Sequence, residues 1–250
     1  MSKGLETIAK IIVGDTSLVF KKIEKLMEWL HEQINWVATD YKDRTIEEIV
    51  KRRAGNCAEH ARVFLALLDV LNIKSRWVSE IMTSPESKER QADAEELMDK
   101  WGNKASMFGL IHNDHRWIEV YDEQKDIWFP ADSTFGIVGM EEWVDKRLSF
   151  SQESTAHSGK IPLFIAIVSN DEIIEIRSEE YMIDNFNNFY DNRLKNLSSW
   201  KKWTSAIDKL SDIAPLVFDG KLNFHTRLPL IREVITAYNK LLDEGNFISE

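Results

Sequence analysis

Cysteine is almost absent from this 250-residue chain: Cys57 is the only one. A single thiol excludes an intramolecular disulfide framework and a C-x-x-C zinc site. Positive charge is also short, with 32 Lys and Arg against 42 Asp and Glu and a net charge of −10. A nucleic-acid backbone needs clustered Lys and Arg, so it is excluded as the main partner. Long apolar runs are missing too. The longest, around Ile161 to Val168, is too short to span a bilayer. The first ten residues mix both charge signs into their apolar positions and make a poor signal peptide, so a cytoplasmic protein is expected. No internal repeat, low-complexity tract or calcium loop of the Asp-x-Asp-x-Asp-Gly type is visible.

What is present is ample material for a core. Hydrophobic residues make up 43% of the chain, with nine Trp and twelve Phe. The length allows one large domain, or one domain with an elaborated end. Apolar residues recur at helical spacing from about Ser17 to Trp36. Thr45-Ile46-Glu47-Glu48 reads as a capping box, and its helix should stop near Arg53-Ala54-Gly55, where Gly permits a left-handed turn. A second helix opens at Cys57 and carries Ala61, Phe64, Leu65, Leu67, Leu68 and Leu71 to near Asn72. Apolar residues cover much of its circumference, which predicts a buried central helix.

Strands are predicted over Ser75–Ile81, His115–Tyr121 and Asp126–Ala131, the last two joined by a turn at Asp122–Lys125. Leu163–Val168 and Ile173–Ile176 form a second hairpin, and the pattern from about Glu179 onward is helical. Helices followed by antiparallel strands imply an α+β fold. Pro85–Lys104 reads as a charged helical insertion, with Leu97, Met98 and Trp101 expected to face a substrate cleft.

A thiol attacks as thiolate, and the N–H groups and dipole at a helix N-terminus favour that anion. Cys57 is placed for this, with Gly55 allowing a sharp turn and Asn56 a possible cap. A nucleophile of this kind needs a base, which is assigned to His115, and an orienter for the base, assigned to Asp132. His112 and His115 could suggest metal ligands, but two histidines at that spacing are weak without further ligands. His60, one turn after Cys57, is read as lying along the helix, outside the mechanism. Glu59 is read as structural, holding the loop by hydrogen bonds.

Gly55-Asn56-Cys57, His115-Arg116-Trp117-Ile118-Glu119-Val120 and Trp128 through Asp132-Ser133-Thr134 together resemble the transglutaminase-like superfamily of cysteine enzymes. The passage Leu71-Asn72-Ile73-Lys74-Ser75-Arg76 fits the same resemblance, which covers roughly residues 30 to 140. Ser133 replaces the family's usual Pro, and Asn72 stands where Gly is common, although Asn tolerates the left-handed conformation. The resemblance implies a papain-like core, a central helix on an antiparallel sheet, with Cys57, His115 and Asp132 as triad and extra helices at the C-terminus. A catalytic domain over 1–178 is expected, with the helical pattern of 179–250 forming an extension packed on it. Trp36, Asn56 and Trp117 are assigned to the oxyanion site or the cleft wall. Trp36 or Tyr41 is the candidate side-chain donor, with packing under the sheet as the alternative for either.

The implied activity is acyl transfer on a peptide or protein substrate through a thioester, with no cofactor and no metal. Hydrolysis is favoured over cross-linking, because calcium loops and the large flanking domains of cross-linking enzymes are not seen. Gly-Asn-Cys-Ala-Glu-His-Ala is also similar to peptide:N-glycanases, whose cysteine zinc site a one-cysteine chain cannot build. A non-catalytic interaction domain that kept the fold is the competing class. Substrate identity and oligomeric state are not encoded in any readable pattern.

Overall fold

The computed structural model describes residues 3–40, 42–83, 112–170 and 172–245. The predicted insertion at Pro85–Lys104 lies outside these residues, as does Tyr41. The chain divides into two compact units, Met1–Val78 with Arg116–Glu142, and Ser79–His115 with Trp143–Glu250.

The first unit is built on helices α1 (Lys3–Val13), α2 (Val19–Gln33), α3 (Ile46–Arg52) and α4 (Cys57–Val70). In α2 the buried residues Ile23, Leu26, Met27 and Leu30 follow the 3.6-residue period and form one apolar stripe. Helix α4 packs against α1, α2 and α3, and its Ala61, Val63, Phe64, Ala66, Leu67 and Leu68 are all buried. It ends as expected, with Asn72 in the left-handed region at φ 54° and the Ile73 amide donating to the Leu68 carbonyl at 3.0 Å.

Two-residue strands β1 (Asn35–Trp36) and β2 (Ala54–Gly55) pair in parallel beside α4. The larger sheet in this unit runs β6 (Ile137–Val138), β5 (Ile127–Asp132), β4 (His112–Asp122) and β3 (Ser75–Thr83). Strands β4 and β5 form the predicted antiparallel hairpin, in register Ile118 with Ala131 and Val120 with Phe129. Those four residues join the helical core, because the period-2 alternation of a strand sends them all to one face. On the other face Arg76 donates to the buried Glu119 at 2.6 Å and lies over the Trp128 ring at 4.1 Å.

In the second unit the end of β3 neighbours β7 (Pro162–Ser169), which pairs with β8 (Glu172–Ile176) in the predicted hairpin. Helices α5 (Met140–Leu148), α6 (Asn185–Phe189), α7 (Trp200–Phe218) and α8 (Leu228–Gly245) complete the described chain. Helix α7 packs on β7 and on α8. Phe186 meets Phe150, Tyr190, Trp200 and Trp203 in an aromatic cluster. Arg147 of α5 and Glu80 of β3 form an ion pair with both side chains fully buried. The α+β architecture with an antiparallel sheet and C-terminal helices is the expected one. Helix α1, helix α5 and the β1–β2 pair had no counterpart in the sequence reading.

Candidate active site

Cys57 is the first residue of α4 and is half-buried. The turn before it is held by a reciprocal capping box. The Asn56 side chain accepts from the Glu59 amide at 3.0 Å, and the Asn56 amide donates to Glu59 Oε2 at 3.0 Å. Asn56 is therefore the cap, and Glu59 holds the loop. The second oxygen of the buried Glu59 accepts from Arg44 at 3.0 Å, and the same guanidinium pairs with Asp40. This charge-assisted bridge fastens the chain ahead of α3 to the first turn of α4.

Gly55 is not the left-handed stop of α3. Arg53 takes that role at φ 54°. Glycine suits position 55 for a different reason, close approach. A Cβ there would lie 3.1 Å from Glu59 Cβ and 3.3 Å from His60 Cδ2. The same residue is gripped from the other side by β1: Trp36 pairs with Gly55, and the Val37 amide donates to the Gly55 carbonyl at 2.9 Å. The loop bearing the thiol is thus fixed by a strand pair, a capping box and an ion pair.

Asp132 closes β5 and is fully buried. Its Oδ1 accepts from the Thr134 amide at 2.9 Å and the Phe135 amide at 3.3 Å, so it organises the turn that follows. His31 of α2 donates from Nε2 to the Ser133 carbonyl at 2.6 Å and locks the turn to the helices. Gly136, at φ 65°, leaves room for that ring, since a Cβ would stand 2.7 Å from His31 Cε1.

His115 lies on β4, buried, three residues before Ile118, whose partner Ala131 is the neighbour of Asp132. Trp117 on the same strand is buried. Trp36 is instead 54% exposed, so it does not pack under the sheet. The side chain of His112 lies outside the described residues, and among those described no group of three or more His, Cys, Asp or Glu is placed to hold a metal ion.

His60 is 2% exposed, and neither ring nitrogen makes a hydrogen bond of good geometry. Burial is the main influence on it and pushes its pKa below the usual histidine range. The Asn35 backbone and the charges of Asp132 and Glu59 work the other way, while His31 adds to the lowering. His60, one turn along α4 from Cys57, thus feels the charge of Asp132. Arg44 and His31 were not singled out by the sequence. The only hint was Glu59 itself, an acid at a helix third position in an apolar run, which implies a nearby cation once buried.

No curated protein matches the chain. Among solved structures, a candidate cysteine protease from Cytophaga hutchinsonii matches at 16% identity and TM-score 0.39, over 65% of this chain and 41% of that one. A candidate protease from Parabacteroides distasonis matches at 13% identity and TM-score 0.39, over 69% and 27%. Rad4–Rad23 bound to a 6-4 photoproduct UV lesion matches at 12% identity and TM-score 0.40, over 97% and 54%. This chain thus spans less than two thirds of each of those chains, and likenesses at these scores say nothing of activity. The family comparison reaches further. Residues 6–133, just over half of the chain, match the transglutaminase-like superfamily, from α1 through the Cys57 helix and the β4–β5 hairpin to the residue after Asp132. On that match, the chain belongs to the transglutaminase-like superfamily.

Proposed function

We propose that the protein is a cysteine-dependent amide hydrolase acting through Cys57, His115 and Asp132. The observation that carries this reading is Cys57 as the first residue of a capped, buried helix, in a chain of this superfamily. The first turn of a helix has N–H groups that its own ladder does not use, and the dipole there favours an anion. Both a thiolate and the oxyanion of a tetrahedral intermediate profit from that position.

In the proposed reaction His115 takes the proton of the Cys57 thiol, and the sulfur attacks the amide carbon. The C–N bond breaks as His115 returns the proton to the leaving amine, which leaves a thioester on Cys57. Water, deprotonated by the same imidazole, attacks the thioester and releases the acid and the thiol. Asp132 orients His115. Asn56 acts by capping the helix, exposed Trp36 forms the wall of the cleft beside Gly55, and Trp117 forms its buried back wall. Residues 179–250 are proposed as an extension of the 1–178 domain, with α7 docked on β7.

Labelling of the full chain with an electrophilic thiol probe, followed by a peptide-library cleavage screen, tests the reading. Cys57→Ala is expected to abolish both labelling and any turnover found while retaining the fold. Turnover that survives in Cys57→Ala would overturn it.

A further inference from the structure

One buried titratable group near the nucleophile takes no part in the proposed chemistry. His60 sits one turn along α4 from Cys57, and its ring edge occupies the space a side chain at 55 would need. Gly55 is thereby the contact between the His60 ring and the loop that carries the thiol. A buried imidazole normally settles at least one nitrogen on a partner. Here neither nitrogen has a partner of good geometry, and only the Asn35 backbone bears on the ring as an acceptor. Such a ring is tolerated while neutral, whereas an imidazolium in the same place would be a desolvated charge whose donors lack well-placed partners.

The groups that act on it come from several neighbouring elements. His31 projects from α2, Asp132 closes β5, Glu59 belongs to α4 itself, and the Asn35 backbone lies in β1. Glu59 is already engaged by Arg44 at 3.0 Å, with Arg52 at 4.0 Å, so its charge is largely spent. Asp132 is engaged by the amides of its own turn. A protonated ring would compete with these existing contacts for either carboxylate.

We propose that His60 is a positioning residue for the nucleophile loop: its neutral ring packs on Gly55 and holds the β1–β2 pair against α4, and its protonation releases the first turn of α4. The reversible step is uptake of one solvent proton by the ring. Its ordinary environment in the opened loop is water, where both N–H groups are satisfied. The functional meaning of the switch rests on Cys57 as nucleophile, but the switch itself does not, and the test reads no activity.

The test is amide hydrogen exchange of the full chain between pH 7.5 and 4.5, corrected for intrinsic rates, comparing Gly55–His60 with Leu65–Leu68 farther along the same helix. Below about pH 6.5, protection at 55–60 is expected to fall by up to about tenfold per pH unit, down to the pKa of the buried ring, while 65–68 stays protected. In His60→Phe, whose ring cannot titrate, protection at 55–60 should be independent of pH. Protection that is flat in the natural protein, or lost equally in His60→Phe, overturns the proposal. If His60→Phe does not fold, proton NMR of the natural protein decides. The His60 ring should titrate below the ordinary range in step with the loss of protection, and a ring titrating at the ordinary value with the loop still protected overturns the proposal. Loss of the nucleophile reading would leave either outcome intact.

Discussion

Glu59 shows how one carboxylate serves two structures at once. One oxygen completes the capping box of α4, and the other anchors Arg44. Glu59→Ala removes both and leaves a largely buried guanidinium with Asp40 alone, so a loss of about 1–3 kcal/mol is expected, measured as a fall in denaturant midpoint. Glu59→Gln keeps one acceptor oxygen and should lose less. Gly55→Ala forces a methyl against Glu59 Cβ and the His60 ring. It is expected to cost about 1–3 kcal/mol and to slow probe labelling of Cys57, with the melting shift and the labelling rate as the two readings. The box around Asn56 was legible because Asn and an acid three residues on are a local pattern. The reason for glycine at 55 was not, since close approach of His60 depends on the packed helix, and the left-handed residue proved to be Arg53.

At the scale of elements, strands were read best where period and turn chemistry agreed. The hairpin of β4 and β5 has alternating core residues and a left-handed Asp126 at its turn. Helix α5 is not legible because its charged Glu141, Glu142, Asp145 and Lys146 dilute a short apolar stripe, and β1, β2 and β6 are two residues each, too short for any period. The buried pair of Arg147 and Glu80 links residues far apart in the sequence and left no local mark. Replacing Glu80 by Leu alone leaves the guanidinium buried without its carboxylate, and a loss of about 3–5 kcal/mol is expected. The double change Glu80→Leu with Arg147→Met should cost much less. Equilibrium unfolding of both variants and of Arg147→Met alone would show it, and single losses that simply add up to the double would mean that the pair is not coupled.

For the whole molecule, the acid limb of stability follows from His60. Its pKa is depressed in the folded chain, so below about 6.5 the unfolded chain binds the proton that the folded one resists. Stability from this group is therefore full above that value and declines as pH falls toward the folded pKa. The melting temperature of His60→Phe should drop less than that of the natural protein between pH 7 and pH 5. Cys57 is proposed as a nucleophile activated by His115. The most direct test is the rate of Cys57 alkylation as a function of pH, in the natural protein and in His115→Ala. Alkylation is expected to persist well below pH 8, where an ordinary thiol of pKa about 8.5 is mostly protonated, and to slow at neutral pH in the variant. A rate that follows an ordinary thiol's titration and is unchanged in His115→Ala would contradict it.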